Sequence, residues 1–183
     1  MRVSWILSAL ITGAIAFAAT NLDDILFLTI FFSEAVKKRQ VVVGQYLGFT
    51  ALVLVSLIGF FGGRVLPHEW IRWLGILPIL LGLKKLFKDR EQERPSGSNT
   101  LSVASVTFVN GADNIGIYSA LFAVSDLARV SVLISVLYIL LAIWCLIAYR
   151  IHTQQVIAET LKKYGHRIVP FILIGLGIYV FVV

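Results

Sequence analysis

Hydrophobic positions along the chain come in long unbroken runs, not in two-residue alternation. Apolar segments cover about 3–33, 41–62, 70–87, 101–124, 129–149 and 168–183, each near or above the roughly 18 residues a helix needs to cross a bilayer. The pattern predicts six transmembrane helices. The first run opens as "MRVSWILSALITGAIAFAA", with the basic start, apolar core and small-residue end of a signal peptide. The apolar character resumes after Asp24 as "ILFLTIFF", so the segment is expected to remain as the first span.

Composition agrees. The 183 residues are 58% hydrophobic and 14% charged, where a soluble domain carries roughly 25% charged residues. The lipid bilayer is therefore the first partner. The isoelectric point near 9.7 would admit nucleic acid, but the basic residues sit between the spans, where membrane proteins accumulate them, and no nucleic acid is expected. Loops after spans one, three and five hold twelve of the 16 Lys and Arg. The other side has Arg2, Arg64, Arg72 and Arg129. The positive-inside rule then makes the odd loops cytoplasmic and puts both termini outside the cytoplasmic membrane. A single cysteine, Cys145, lies in an apolar run, so it is read as filler, with no intrachain disulfide and no thiolate cage.

The most polar linker, "KDREQERPSGSNT" at 88–100, divides the chain into halves at about 1–87 and 101–183 within one transmembrane domain. Three spans per half make any internal repeat inverted across the membrane, a transporter architecture. "DDI" at 23–25 and "DNI" at 113–115 take similar places in spans one and four, and Gly82 and Gly175 do so in spans three and six. The expected fold is all-α: six transmembrane helices as two inverted three-helix repeats, with helices 1 and 4 broken at the acidic motifs.

Chemistry enters with the acids. Seven of the ten fall in or beside loops, while Asp23, Asp24 and Asp113 lie inside spans. A carboxylate at a helix centre costs about 2.5–3.5 kcal/mol, and no Lys, Arg or His lies within spans one and four, which hold these acids, to offset it. The missing counter-charge is expected from outside the chain, as a cation or a proton. Thr20 precedes Asp23 and Asp24, and Asn110 precedes Asp113 and Asn114, at spacings that share a helix face. Asn21 adds another amide oxygen, and Gly111 allows the backbone to loosen. Such irregular backbone is tolerated at this depth only where it lines a cavity or is buried in protein. The expected metal ligands are thus Asp23, Asp24, Asp113, Asn21, Asn110, Asn114 and Thr20, at a midplane site. Oxygen donors without thiolate or imidazole favour hard divalent cations such as Ca²⁺, Mn²⁺ or Mg²⁺. Three carboxylates around one such ion leave a charge near −1, so a proton and a cation compete for the site, a route to proton coupling. Gln45, Ser56, Ser131, Ser135 and Tyr138 read as polar glue between helices, and the Gly-rich spans two and six as close-packing surfaces. Tyr118 and Ser119 stand nearer the acids.

At "TNLDDILFLTIFFS" (20–33), "QYLGF" (45–49) and "NGADNIGIYSALFA" (110–123) the chain resembles the bacterial cadmium resistance transporter (Cad) family of the lysine-exporter superfamily. The likeness runs over essentially the whole length. It implies efflux of Cd²⁺ as transported substrate, with no resident cofactor and no enzymatic activity. By that resemblance Asn21, Asp23 and Asp24 match one family motif, and Asn110, Asp113 and Asn114 the other. Ala112 stands where the family motif is expected to carry a second glycine. Alternatives are an exporter of Mn²⁺, Ca²⁺ or amino acids from the same superfamily, and an intramembrane aspartyl hydrolase whose paired acids activate water. Against the last, "GAD" is not "GxGD", and adjacent aspartates diverge by about 100° on a helix. Against an amino-acid cargo, no basic residue in the spans meets its carboxylate. A homodimer is expected from the small size of the chain.

Overall fold

The computed structural model describes residues 2–22, 24–87, 97–153 and 155–182. Nine helices form among them: α1 (Arg2–Asn21), α2 (Asp24–Glu34), α3 (Lys38–Val65), α4 (His68–Trp73), α5 (Ile76–Phe87), α6 (Thr100–Asn110), α7 (Ala112–Ala123), α8 (Leu127–Ile151) and α9 (Gln155–Val182). Three stretches are long and apolar enough to cross a membrane on their own: Ser4–Asn21, Lys38–Val65 and Leu127–Ile151.

The first, third and fourth apolar segments are interrupted. The first is two helices, with α1 stopping at Asn21 and α2 starting at Asp24. The fourth is also two, split at Gly111. With 11, 11 and 12 residues, α2, α6 and α7 are each about 16–18 Å long, roughly half of the hydrocarbon core. The third segment divides into α4 and α5 around Leu74 and Gly75. The sixth begins earlier than its apolar run: the polar stretch 155–167, read above as loop, is the start of α9. Its Lys and Glu residues are good helix formers that need no apolar surroundings. Side-chain caps start two helices: Asn99 accepts from the Ser102 amide at 2.9 Å and Asp126 from the Arg129 amide at 2.7 Å.

Packing exchanges between the halves. α3 lies along both α6 and α7, α8 lies along α1 and α2, and α5 packs on α9. One large cluster joins α1, α3, α7, α8 and α9 through Phe17, Phe49, Tyr118, Leu137 and Leu173. A smaller one surrounds α2, with Ile25, Leu28, Phe31 and Phe32 against Val41, Val103 and Ala148.

The approach of α3 to α6 and α7 depends on absent side chains. A Cβ at Gly48 would stand 2.6 Å from the Ala104 carbonyl oxygen, and one at Gly59 would stand 2.1 Å from that of Ser119. Span two is thus a close-packing face. In α9 the glycine that meets the other half is Gly177, against the Gly75 carbonyl, while Gly82 meets Pro170. Gly175, paired with Gly82 in the sequence reading, faces open space. Ser56, Ser131 and Ser135 bond carbonyls of their own helix and join nothing across helices. Tyr138 does, through Thr50 at 2.8 Å. Replacing Gly59 with Val is expected to strain this contact by about 1–3 kcal/mol, whereas Gly175→Ala should leave stability unchanged. Thermal unfolding of the purified protein in detergent reads both.

Candidate functional site

Helix breaks bring polar side chains together because their backbone groups need partners that lipid cannot supply. At the first break the Asn21 carbonyl, the last of α1, accepts from the Trp144 indole Nε1 at 2.9 Å. Trp144 sits on α8 and packs edge-on against Phe17. The Asn21 amide nitrogen lies 3.0 Å from the Phe17 carbonyl, 2.7 Å from Thr20 Oγ1 and 3.2 Å from the Tyr118 hydroxyl. Thr20 Oγ1 is 3.0 Å from the Ala16 carbonyl and 2.9 Å from that same Tyr118 hydroxyl. Tyr118 is fully buried on α7, so its hydroxyl ties the end of α1 to the second broken segment.

Asp24 opens α2 and Asp113 lies in the first turn of α7. Both carboxylates thus occupy the positive end of a half-helix, which is worth about 0.3–2 kcal/mol each. That is less than the cost of burying a charge at this depth. The Asp113 Oδ1 accepts from the Asn114 backbone amide at 3.2 Å. Both carboxylates lie within electrostatic reach of the Tyr118 hydroxyl.

Asp24 and Asn110 line one small cavity, together with Gln45 and Thr107. Gln45 Oε1 accepts from Thr107 Oγ1 at 2.6 Å, joining α3 to α6 beside it. The two motifs, some ninety residues apart in the chain, therefore meet. Asn114 adds a different kind of signal. Its side chain is 1% exposed, and neither Nδ2 nor Oδ1 has a hydrogen-bond partner. A buried amide in this condition costs roughly 1–3 kcal/mol per unmatched group.

The structure thus gathers Thr20, Asn21, Asp24, Asn110 and Asp113 around Tyr118 and the small cavity. Asp23 lies outside the described residues. Among those described, no three His, Cys, Asp or Glu side chains gather as a metal site. Sequence reading missed Trp144, for which the chain offers no signal, and Thr107, whose position three before Asn110 on one helix face could have marked it.

Apolar helices around a buried polar centre define an all-helical membrane protein. Residues 17–183 match the family model described as "Cadmium resistance transporter", and the chain belongs to this Cad family of transporters. The matched region contains both acidic motifs. No curated protein and no solved structure matches the chain.

Tyr118→Phe leaves Thr20 and Asn21 without their shared partner and is expected to destabilise by about 1–3 kcal/mol. Asn114→Leu deletes two unmatched polar groups and should be at least as stable as wild type. Melting temperatures of the metal-free proteins distinguish these opposite signs.

Proposed function

We propose that the protein exports divalent metal ions, Cd²⁺ first, across the cytoplasmic membrane from a site where the two broken segments meet. The observation that carries this reading is the shared cavity of Asp24 and Asn110, with Asp24 within electrostatic reach of a Tyr118 hydroxyl bonded by Thr20 and Asn21. The ligands are oxygens of Asp23, Asp24 and Asp113 with the amide oxygens of Asn21, Asn110 and Asn114. Thr20 holds Asn21 and Tyr118 in place and completes the polar set. Negative charge at these buried carboxylates attracts a divalent cation. The unmatched Asn114 amide supports the same idea: a group that destabilises the empty protein gains its partner on loading. Oxygen donors favour a divalent cation as a class, and cadmium comes from the family.

The movement is alternating access between two inverted three-helix repeats, joined by the 88–100 linker and making six spans in all. Exchange of packing supports it: each half's long middle helix lies along the other half's broken segment, and α5 meets α9. Both termini lie outside and the odd loops inside, by the placement of Lys and Arg. Protons and the cation exchange at the same carboxylates, which couples export to proton entry.

Cells expressing the protein at matched membrane levels should retain less cadmium than controls, and Asp113→Asn should abolish the difference. Removing one carboxylate charge at low dielectric is expected to weaken ion binding at least about tenfold. Equal efflux by wild type and variant makes Asp113 a packing residue and ends the model. Separately, cadmium should raise the melting temperature of wild type but not of Asn114→Leu. If neither protein moves cadmium while manganese or calcium retention changes, the site reading stands and the cargo is corrected.

A further inference from the structure

A second cavity, about 440 Å³, shares no lining residue with the cavity of Asp24 and lies between the first turns of α3 and the last turns of α8. These helices touch only slightly, so a slot opens between them towards the surrounding lipid. Val43 and Leu146 on its lips are 51% and 55% exposed. Its walls are mainly apolar, with Tyr46, Tyr149 and Cys145 as weakly polar members, and none of the residues lining it is acidic. The two cations that line it, Lys38 and Arg39, stand together at one end. Lys38 donates to the Phe32 carbonyl at the end of α2, which holds its ammonium at the mouth. Tyr149 shares that end, with its ring edge-on to Phe32, the level where aromatic residues meet head groups.

We propose that this slot binds one acyl chain of an anionic phospholipid, with the lipid phosphate held by Lys38 and Arg39. A slot walled mainly by apolar side chains and open towards hydrocarbon suits an apolar occupant along most of its depth. From Lys38 to Tyr46 along α3 the slot is about 12 Å deep, long enough to take the upper part of an extended acyl chain. The charge selects the head group. Basic pockets between spans on the cytoplasmic side are suited to anionic lipids, and Lys38 and Arg39 belong to a loop counted on that side. The proposal concerns a site apart from the ion path and does not rest on the cargo.

The test compares full-length protein in nanodiscs of phosphatidylcholine alone and of phosphatidylcholine with phosphatidylglycerol, reading melting temperature, and identifies lipid carried through purification by native mass spectrometry. Wild type should carry phosphatidylglycerol and melt higher in its presence. Arg39→Gln spares the Lys38 contact with α2 and should weaken retention about fivefold, the effect of one basic side chain at an anionic surface. Val43→Trp fills the slot while keeping both cations, and should abolish retention with helical content intact. Lys84→Gln, basic and counted on the same side but outside the slot, should behave as wild type. Equal loss in Lys84→Gln and Arg39→Gln, undiminished retention in Val43→Trp, or the same rise from inorganic phosphate alone would overturn the proposal. So would a dimer, in place of a lipid adduct, that Val43→Trp dissociates.

Discussion

Two interrupted helices inside apolar surroundings set the terms for everything else in this protein. A continuous helix satisfies its own backbone, but each break frees carbonyl and amide groups at a depth where water is absent. Trp144 answers the last carbonyl of α1 from α8, and Asp113 answers an amide at the start of α7. The Tyr118 hydroxyl then links both breaks through Thr20 and Asn21. Trp144 and Tyr118 come from distant parts of the chain, so the bonds that answer the end of α1 form only in the assembled bundle.

The same arrangement explains how carboxylates are placed at the centre. Asp24 and Asp113 each take the N-terminal end of a half-helix, where peptide dipoles favour negative charge. Polar support at the site is graded. Thr20 and Asn21 are heavily bonded, Gln45 and Thr107 bond each other, and the Asn114 side-chain amide has no hydrogen-bond partner among the described residues.

Close approach of backbones carries the rest. Glycines in α3 let α6 and α7 lie against it at distances a methyl group would prevent. Without a hydrophobic drive between helices in lipid, such contact and a few hydrogen bonds are the main sources of association. At the level of Gly44, α3 packs on α6 with one face and diverges from α8 on another, where the slot with its two cations appears. A packing face and a groove thus share the same turns of one helix.

The chain by itself determined the class, the apolar segments and the weak points. Composition and run length made it a membrane protein, and acids beside Asn, Thr and Gly marked where helices 1 and 4 break. These are local properties: a twenty-residue apolar run or an Asn-Gly pair acts through its own backbone and solvent. Tertiary structure decided the remainder. It chose Gly177 over Gly175 as the contact glycine, drew Gln45 and Thr107 to the acids, and confined three serines to their own helices. It also brought in Trp144, which no spacing marks. Which face of an apolar helix meets which neighbour depends on contacts between residues a hundred positions apart, and periodicity carries no record of them when nearly every position is apolar.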